Sequence, residues 1–158
     1  MFNWCKYLTN INLSNFNIES ITDISNLFRR CYSLTSINLS NLNIRNVTDM
    51  SGMFSRCTAL KDVNLSNINS RNVTNMSYLF HKCTSLIRIN LSQLNTQNVT
   101  NMYSMFNGCE SLTSILMFCN CSSLKELNIP NINIQNAKYI REMFSGCSDE
   151  LKKKIKFI

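Results

Sequence analysis

"NVTDMSGMFSRC" (residues 46–57) returns as "NVTNMSYLFHKC" (72–83) and again as "NVTNMYSMFNGC" (98–109). A catalytic constellation is needed once, so a trio of Met, Phe and Cys written several times reads either as a core ladder or as a polyvalent surface. The spacing favours the ladder. Phe2, Phe28, Phe54, Phe80 and Phe106 are 26 residues apart, and so are Cys5, Cys31, Cys57, Cys83 and Cys109. The register then slips: Phe118 and Cys121 follow after 12 residues, before Phe144 and Cys147 restore the interval of 26. One unit has therefore lost 14 residues between Leu116 and Met117.

Each unit has two halves of different period. In the front half Leu34, Ile37 and Leu39 fit L-x-x-L-x-L, with Ile37 and Leu39 two apart as a strand requires. In the back half Met50, Met53, Phe54 and Cys57 fall at i, i+3, i+4 and i+7, the stripe of an amphipathic helix. Thr48 reads as its N-cap, and Asp49 places negative charge in the first turn. The expected class is α/β. One unit cannot bury its apolar face alone, so about six must stack as a leucine-rich repeat solenoid. Parallel strands lie ~4.8 Å apart and packed helices ~8–10 Å, a mismatch that predicts a curved stack with a concave sheet and convex short helices. The array spans residues 1–147, with the short unit around 110–121 kinking it. Residues 148–158, "SDELKKKIKFI", run from acidic to basic with Leu151 and Ile155 four apart, which predicts a C-terminal capping helix.

Composition sets the function classes aside. At 158 residues and 44% hydrophobic, the chain suits one domain with a real core. No run of 18 apolar residues predicts a membrane span. "MFNWCKYLTNINLSN" has neither the basic nor the apolar region of a secretory signal, which leaves a cytoplasmic or truncated product as one expectation. Four of the 16 basic residues lie in the final "KKKIKFI", so the net charge of +7 is not by itself a nucleic-acid footprint, and no nucleic-acid partner is expected. Arg29, Arg30, Arg45, Arg56, Arg71, Lys82 and Arg88 predict a weakly basic convex flank. No phosphate loop, paired carboxylates, HExxH motif or zinc template occurs, so no catalytic, cofactor-binding or metal-ligating residues are assigned and no enzyme is expected.

Only three Gly and one Pro are present, against 25 Asn, so Asn must punctuate the chain. One Asn column (Asn17, Asn43, Asn69, Asn95 and Asn133) follows the strand. A second (Asn46, Asn72, Asn98 and Asn136) precedes the helix. Both are expected to bond neighbouring repeats. The Cys column should be free, buried thiols, because helices ~8–10 Å apart hold its Cα atoms beyond the ~7 Å limit of a bridge. Cys119 falls instead in a polar column with Arg29, Ser55, His81, Asn107 and Ser145, read as solvent-facing. His81, two residues from Cys83, points elsewhere on the helix and does not pair with it.

"SINLSNLNIRNVTDMSGMFSRCTAL" and its copies, from Phe2 to Cys147, resemble the 26-residue repeats of BspA-like leucine-rich repeat surface proteins, also described as the mycoplasma lipoprotein-associated repeat family. The resemblance implies a non-enzymatic binding or adhesion module at the cell surface or outside the cell. A start halfway through a unit suggests a fragment of a longer array, and an intracellular protein–protein interaction scaffold is the alternative. Any ligand belongs on the concave sheet, whose outward side chains vary without disturbing the core. There one column runs Asn10, Ser36, Asp62, Arg88, Ser114 and Glu126, and its neighbour runs Asn12, Asn38, Asn64, Asn90 and Asn128, interrupted by Leu116. Ser36, Asn38, Asp62, Asn64, Arg88, Asn90, Glu126 and Asn128 are thus the candidate binding residues, for an extended protein segment or glycan.

Overall fold

The computed structural model describes residues 1–13, 16, 18–40 and 42–116. The expected capping helix, the 14-residue deletion, Cys119 and the later repeats all lie outside the described residues, as do Asn17, Asn133 and Asn136.

Four three-residue strands follow one another in parallel: β1 (Ser36–Asn38), β2 (Asp62–Asn64), β3 (Arg88–Asn90) and β4 (Ser114–Leu116). β1 pairs with β2 and β3 with β4, each in equivalent register (Ile37 beside Val63, Ile89 beside Ile115). An isolated bridge from Asn12 to Asn38 extends the first pair by one layer. Alternation turns Ile37, Val63 and Ile89 inward and leaves their neighbours outside.

The interior is a set of files. Phe28, Phe54, Phe80 and Phe106 are buried, and the Phe rings from Phe2 to Phe106 lie nearly parallel, with centroids 5.4, 5.7, 5.5 and 5.7 Å apart in succession. Leu34, Leu60, Leu86 and Leu112 make a second file, and Val47, Val73 and Val99 a third. The molecule is a repeat solenoid with one unit per layer. The file that begins with buried Ile18 and Ile44 continues as Ser70 and Thr96. Ser70 is tolerated there because its Oγ donates to the Asn95 carbonyl at 3.3 Å and accepts from the Asn95 amide at 2.8 Å, so the buried hydroxyl is satisfied.

The convex helices are corrected. Among the described residues there is no helix, and 46–57, 72–83 and 98–109 form runs of tight turns. The amides of Ile24, Asn26, Phe28 and Arg30 donate to the carbonyls of Asp49, Ser51, Met53 and Ser55 at 2.8–3.0 Å. The intervening amides close local turns: Leu27 to Ile24, Arg29 to Asn26 and Cys31 to Phe28. The alternation repeats from Met50–Arg56 to the next layer, and from Met76–Lys82 to the one after. A helix would spend those amides on its own carbonyls and would need ~8–10 Å to its neighbour. The 5.4–5.7 Å ring spacing leaves no room for that, and backbone bonds between layers replace it. Because the back spacing nearly equals the strand spacing of ~4.8 Å, the cause expected to bend the stack is missing.

Alternating peptide planes demand left-handed residues at fixed places. Positive φ occurs at Asn26, Gly52, Tyr78 and Ser104 in one column, and at Trp4, Arg30, Arg56, Lys82 and Gly108 in another. Both columns are the third position of a turn, where type II geometry requires φ above zero. Thr48 is no N-cap: its Oγ and amide both donate back to the Thr22 carbonyl, at 3.3 and 2.8 Å. Asp49 serves no helix dipole. Its carboxylate accepts from the Ser51 amide at 2.7 Å and from Asn75 Nδ2 at 3.0 Å.

Candidate binding face

β1, β2 and β3 each end on an Asn side chain. Asn38, Asn64 and Asn90 turn Oδ1 back to accept the amide two residues on, from Ser40 (2.9 Å), Ser66 (3.0 Å) and Ser92 (3.0 Å). This Asx geometry peels the chain from the sheet after three residues, and it accounts for an Asn at the same place in each layer. It also fixes the amide plane. The Nδ2 groups of these three Asn donate to no other described residue, so each layer directs one NH₂ away from the turn it caps.

On this frame Ser36 lies beside Asp62 and Asn38 beside Asn64, in register across β1 and β2. Together with Asn10 and Asn12 they line an open groove of about 750 Å³. Ser36, Asn38, Asp62 and Arg88 are exposed, and Asn64 is half-buried. Arg88 and Asn90 belong to the second strand pair and do not line the groove. Glu126 and Asn128 lie outside the described residues.

The two Asn columns flanking the turns divide their work, where the sequence predicts one role for both. Asn46, Asn72 and Asn98 form the expected ladder, Nδ2 donating to the carbonyls of Glu19, Arg45 and Arg71 at 2.6–2.7 Å. Asn43, Asn69 and Asn95 instead cap their own chain, accepting the amides of Arg45, Arg71 and Gln97 at 3.3, 3.4 and 3.1 Å. Of these, only the Asn43 side chain also reaches another layer among the described residues, donating to Glu19 Oε1 at 3.0 Å.

The column cysteines Cys5, Cys31, Cys57, Cys83 and Cys109 are free, but not for want of proximity. Each thiol after the first is committed along the stack, donating to the Phe carbonyl of the preceding layer: Cys31 to Phe2, Cys57 to Phe28, Cys83 to Phe54 and Cys109 to Phe80, at 3.0–3.1 Å. Burial pushes the thiol of Cys31 up to about 11 and those of Cys57 and Cys109 up to about 12, and raises Cys83 well above its ordinary value. These are inert core groups.

The polar column through Arg29, Ser55 and His81 is less exposed than its composition predicts. Ser55 is buried and the other two are half-buried. Burial first, then the charges of Lys82, Arg56 and Arg29, lower the pKa of His81. Its ring packs edge-on to Tyr78 while Cys83 faces the core, so no Cys–His pair forms.

A parallel-stranded repeat stack with a polar strand face and an apolar, hydrogen-bonded interior defines the structural class. The chain belongs to the family described as "Mycoplasma protein of unknown function, DUF285", which matches residues 1–116 and 114–156. No curated protein matches it. Among solved structures it is similar to a leucine-rich repeat protein from Eubacterium ventriosum ATCC 27560, determined at 2.50 Å resolution, with 24% identity and a TM-score of 0.38. That match covers 73% of this chain and spans 31% of the other.

Proposed function

We propose that this chain is a non-enzymatic binding module that holds an extended polar ligand, a protein segment or a glycan, on its strand face. The observation that carries the reading is the groove of about 750 Å³ walled by Asn10, Asn12, Ser36, Asn38, Asp62 and Asn64. Its floor is formed by Ile11, Leu13, Ile37, Leu39 and Leu42, and of its walls Asn38 and Asn64 spend Oδ1 on strand-ending bonds while Ser36 and Asp62 make no such bond. Concave, mostly preformed surfaces carrying a few oriented polar groups are where ligands bind. The residues outside that floor can change ligand without changing fold, as repeat scaffolds allow.

We further propose that the module acts in adhesion at the cell surface as part of a longer BspA-like array. Support comes from the repeat's resemblance to those surface proteins and from the family of the chain. An intracellular interaction scaffold is the competing reading, and protease shaving of intact cells decides between them by whether the chain is removed. The site itself is tested by Ser36→Arg together with Asp62→Arg, which fills the groove from exposed positions. Binding of the full chain to extracellular-matrix proteins and neutral oligosaccharides should fall at least about tenfold with the unfolding midpoint unchanged, as loss of a central contact requires. Undiminished binding would place the ligand elsewhere.

A further inference from the structure

We propose that the edge of the turn ladder bearing Arg29, Arg30, Arg56 and Lys82 is a second binding surface, separate from the strand groove, and that it takes a sulfated polysaccharide lying along the stack. Arg30, Arg56 and Lys82 occupy one repeat position in three successive layers, with φ of 63°, 64° and 59°. A shared backbone conformation sends the three side chains off the turn in the same sense. Arg29 sits in the adjoining column with Ser55 and His81. The layers here are as close as the stacked rings beneath them, 5.4–5.7 Å, so the cations form a dense row.

Among the described residues no carboxylate forms an ion pair with this row. Arg29 Nε and Arg30 Nε are buried without a hydrogen-bond partner, and so is His81 Nδ1. The charges of Lys82, Arg56 and Arg29 act together on His81, and no carboxylate acts beside them. Asp23 and Asp49, at the start of the same turns, are engaged with the amides of Ser25 and Ser51, and Asp49 also with Asn75. A file of like charges at this spacing is self-repelling, and an anionic partner relieves that cost.

The aromatic residues decide which polyanion fits. Single-stranded nucleic acid needs open ring faces on which bases stack. Here Trp4 has the Arg30 guanidinium 4.1 Å over its ring and Lys6 Nζ 5.5 Å away, with Tyr32 edge-on at 6.5 Å. Tyr78 is engaged at near right angles by Tyr103 and His81, at 5.4 and 5.5 Å. These rings brace the cations and do not form a stacking platform. The Arg30 guanidinium held over Trp4 has its terminal N–H donors left for the forked acceptors of a sulfate group.

The test uses the full chain, titrated with a heparin-derived oligosaccharide and with an oligothymidylate of equal charge at two salt concentrations. The oligosaccharide should bind more tightly of the two and lose about tenfold or more in affinity between roughly 50 and 200 mM salt, as several released counterions require. Arg29→Gln/Arg56→Gln/Lys82→Gln should lose at least about tenfold, and the exposed Lys82→Gln alone, which leaves the fold unburdened, should weaken binding and flatten the salt dependence. Lys152→Gln/Lys153→Gln/Lys154→Gln/Lys156→Gln should bind as the parent does. Unchanged binding by Lys82→Gln, loss of binding in the tail variant, or tighter binding of the oligothymidylate overturns the proposal.

Discussion

Lys82 offers a substitution whose sign depends on whether the back of each layer is a turn ladder or a helix. It is exposed, it stands at φ 59°, and its amide donates to the Asn107 carbonyl of the next layer at 2.7 Å. Its stem lies against Gly108, where an added Cβ would meet Lys82 Cγ at 2.9 Å. Lys82→Gly and Lys82→Ala remove that stem equally, so their difference isolates the backbone. An L-residue in the left-handed region costs roughly 1–2 kcal/mol, which Ala retains and Gly escapes. Gly gives back about 0.4–1 kcal/mol through the greater freedom of its unfolded chain. Gly should therefore be the more stable variant by about 0.5–1 kcal/mol. On a helix the order reverses, with Ala ahead by about 1 kcal/mol. Equilibrium urea unfolding of the two full-length variants separates these outcomes, because at about 1–3 kcal/mol per molar the midpoints differ by a few tenths of a molar. An alanine variant more stable than the glycine variant would refute the turn ladder.

Phe54, buried between Phe28 and Phe80, should cost about 3–5 kcal/mol when replaced by Ala, enough to unfold a marginal domain in thermal melts followed by circular dichroism. Asn72→Ala removes the inter-layer bond to the Arg45 carbonyl and should cost about 0.5–1.5 kcal/mol, whereas Asn69→Ala, which loses a longer 3.4 Å local bond, should cost less in the same urea assay. The thiols set an alkaline limit. Their ordinary value is 9.0, and burial raises Cys31 to about 11 and Cys57 and Cys109 to about 12. The unfolded chain thus loses these protons first, and the contribution is fully present below pH 9 and declines as pH rises toward about 12. Unfolding midpoints measured from pH 8 to pH 11 should fall across that interval, and a Cys57→Ala/Cys83→Ala/Cys109→Ala variant should show a shallower fall. Native-state labelling at pH 8 should leave these three unmodified until urea opens the chain; rapid labelling would contradict their burial.

The stack was legible because it rests on identity at a fixed interval, and vertical files follow from that whatever the local backbone does. Met50, Met53, Phe54 and Cys57 are all buried as expected, although no helix carries them. The spacing i, i+3, i+4, i+7 reports which side chains face inward, and a run of tight turns meets that demand as well as a helix does. The sequence held a discriminating signal. Only three Gly occur in the chain; Gly52 and Gly108 fall inside stretches that read as helices, and Gly146 repeats the position of Gly108. A helix interior gains nothing from glycine, whereas a left-handed turn position does, and both described glycines have positive φ. What hid the signal is that the same two columns also accept Asn26, Arg30, Arg56, Tyr78, Lys82 and Ser104. Bonds between layers hold these residues in a conformation their own preferences resist, so local propensity could not reveal it. The binding face was half legible for the opposite reason. Strand alternation set Ser36, Asn38, Asp62 and Asn64 outside from sequence alone, but the constancy of the Asn track, which reads as a uniform surface for a ligand, reflects a strand-ending bond to the second residue beyond. Among the described groove residues Ser36 and Asp62 carry no such bond, and specificity at the groove must come first from them.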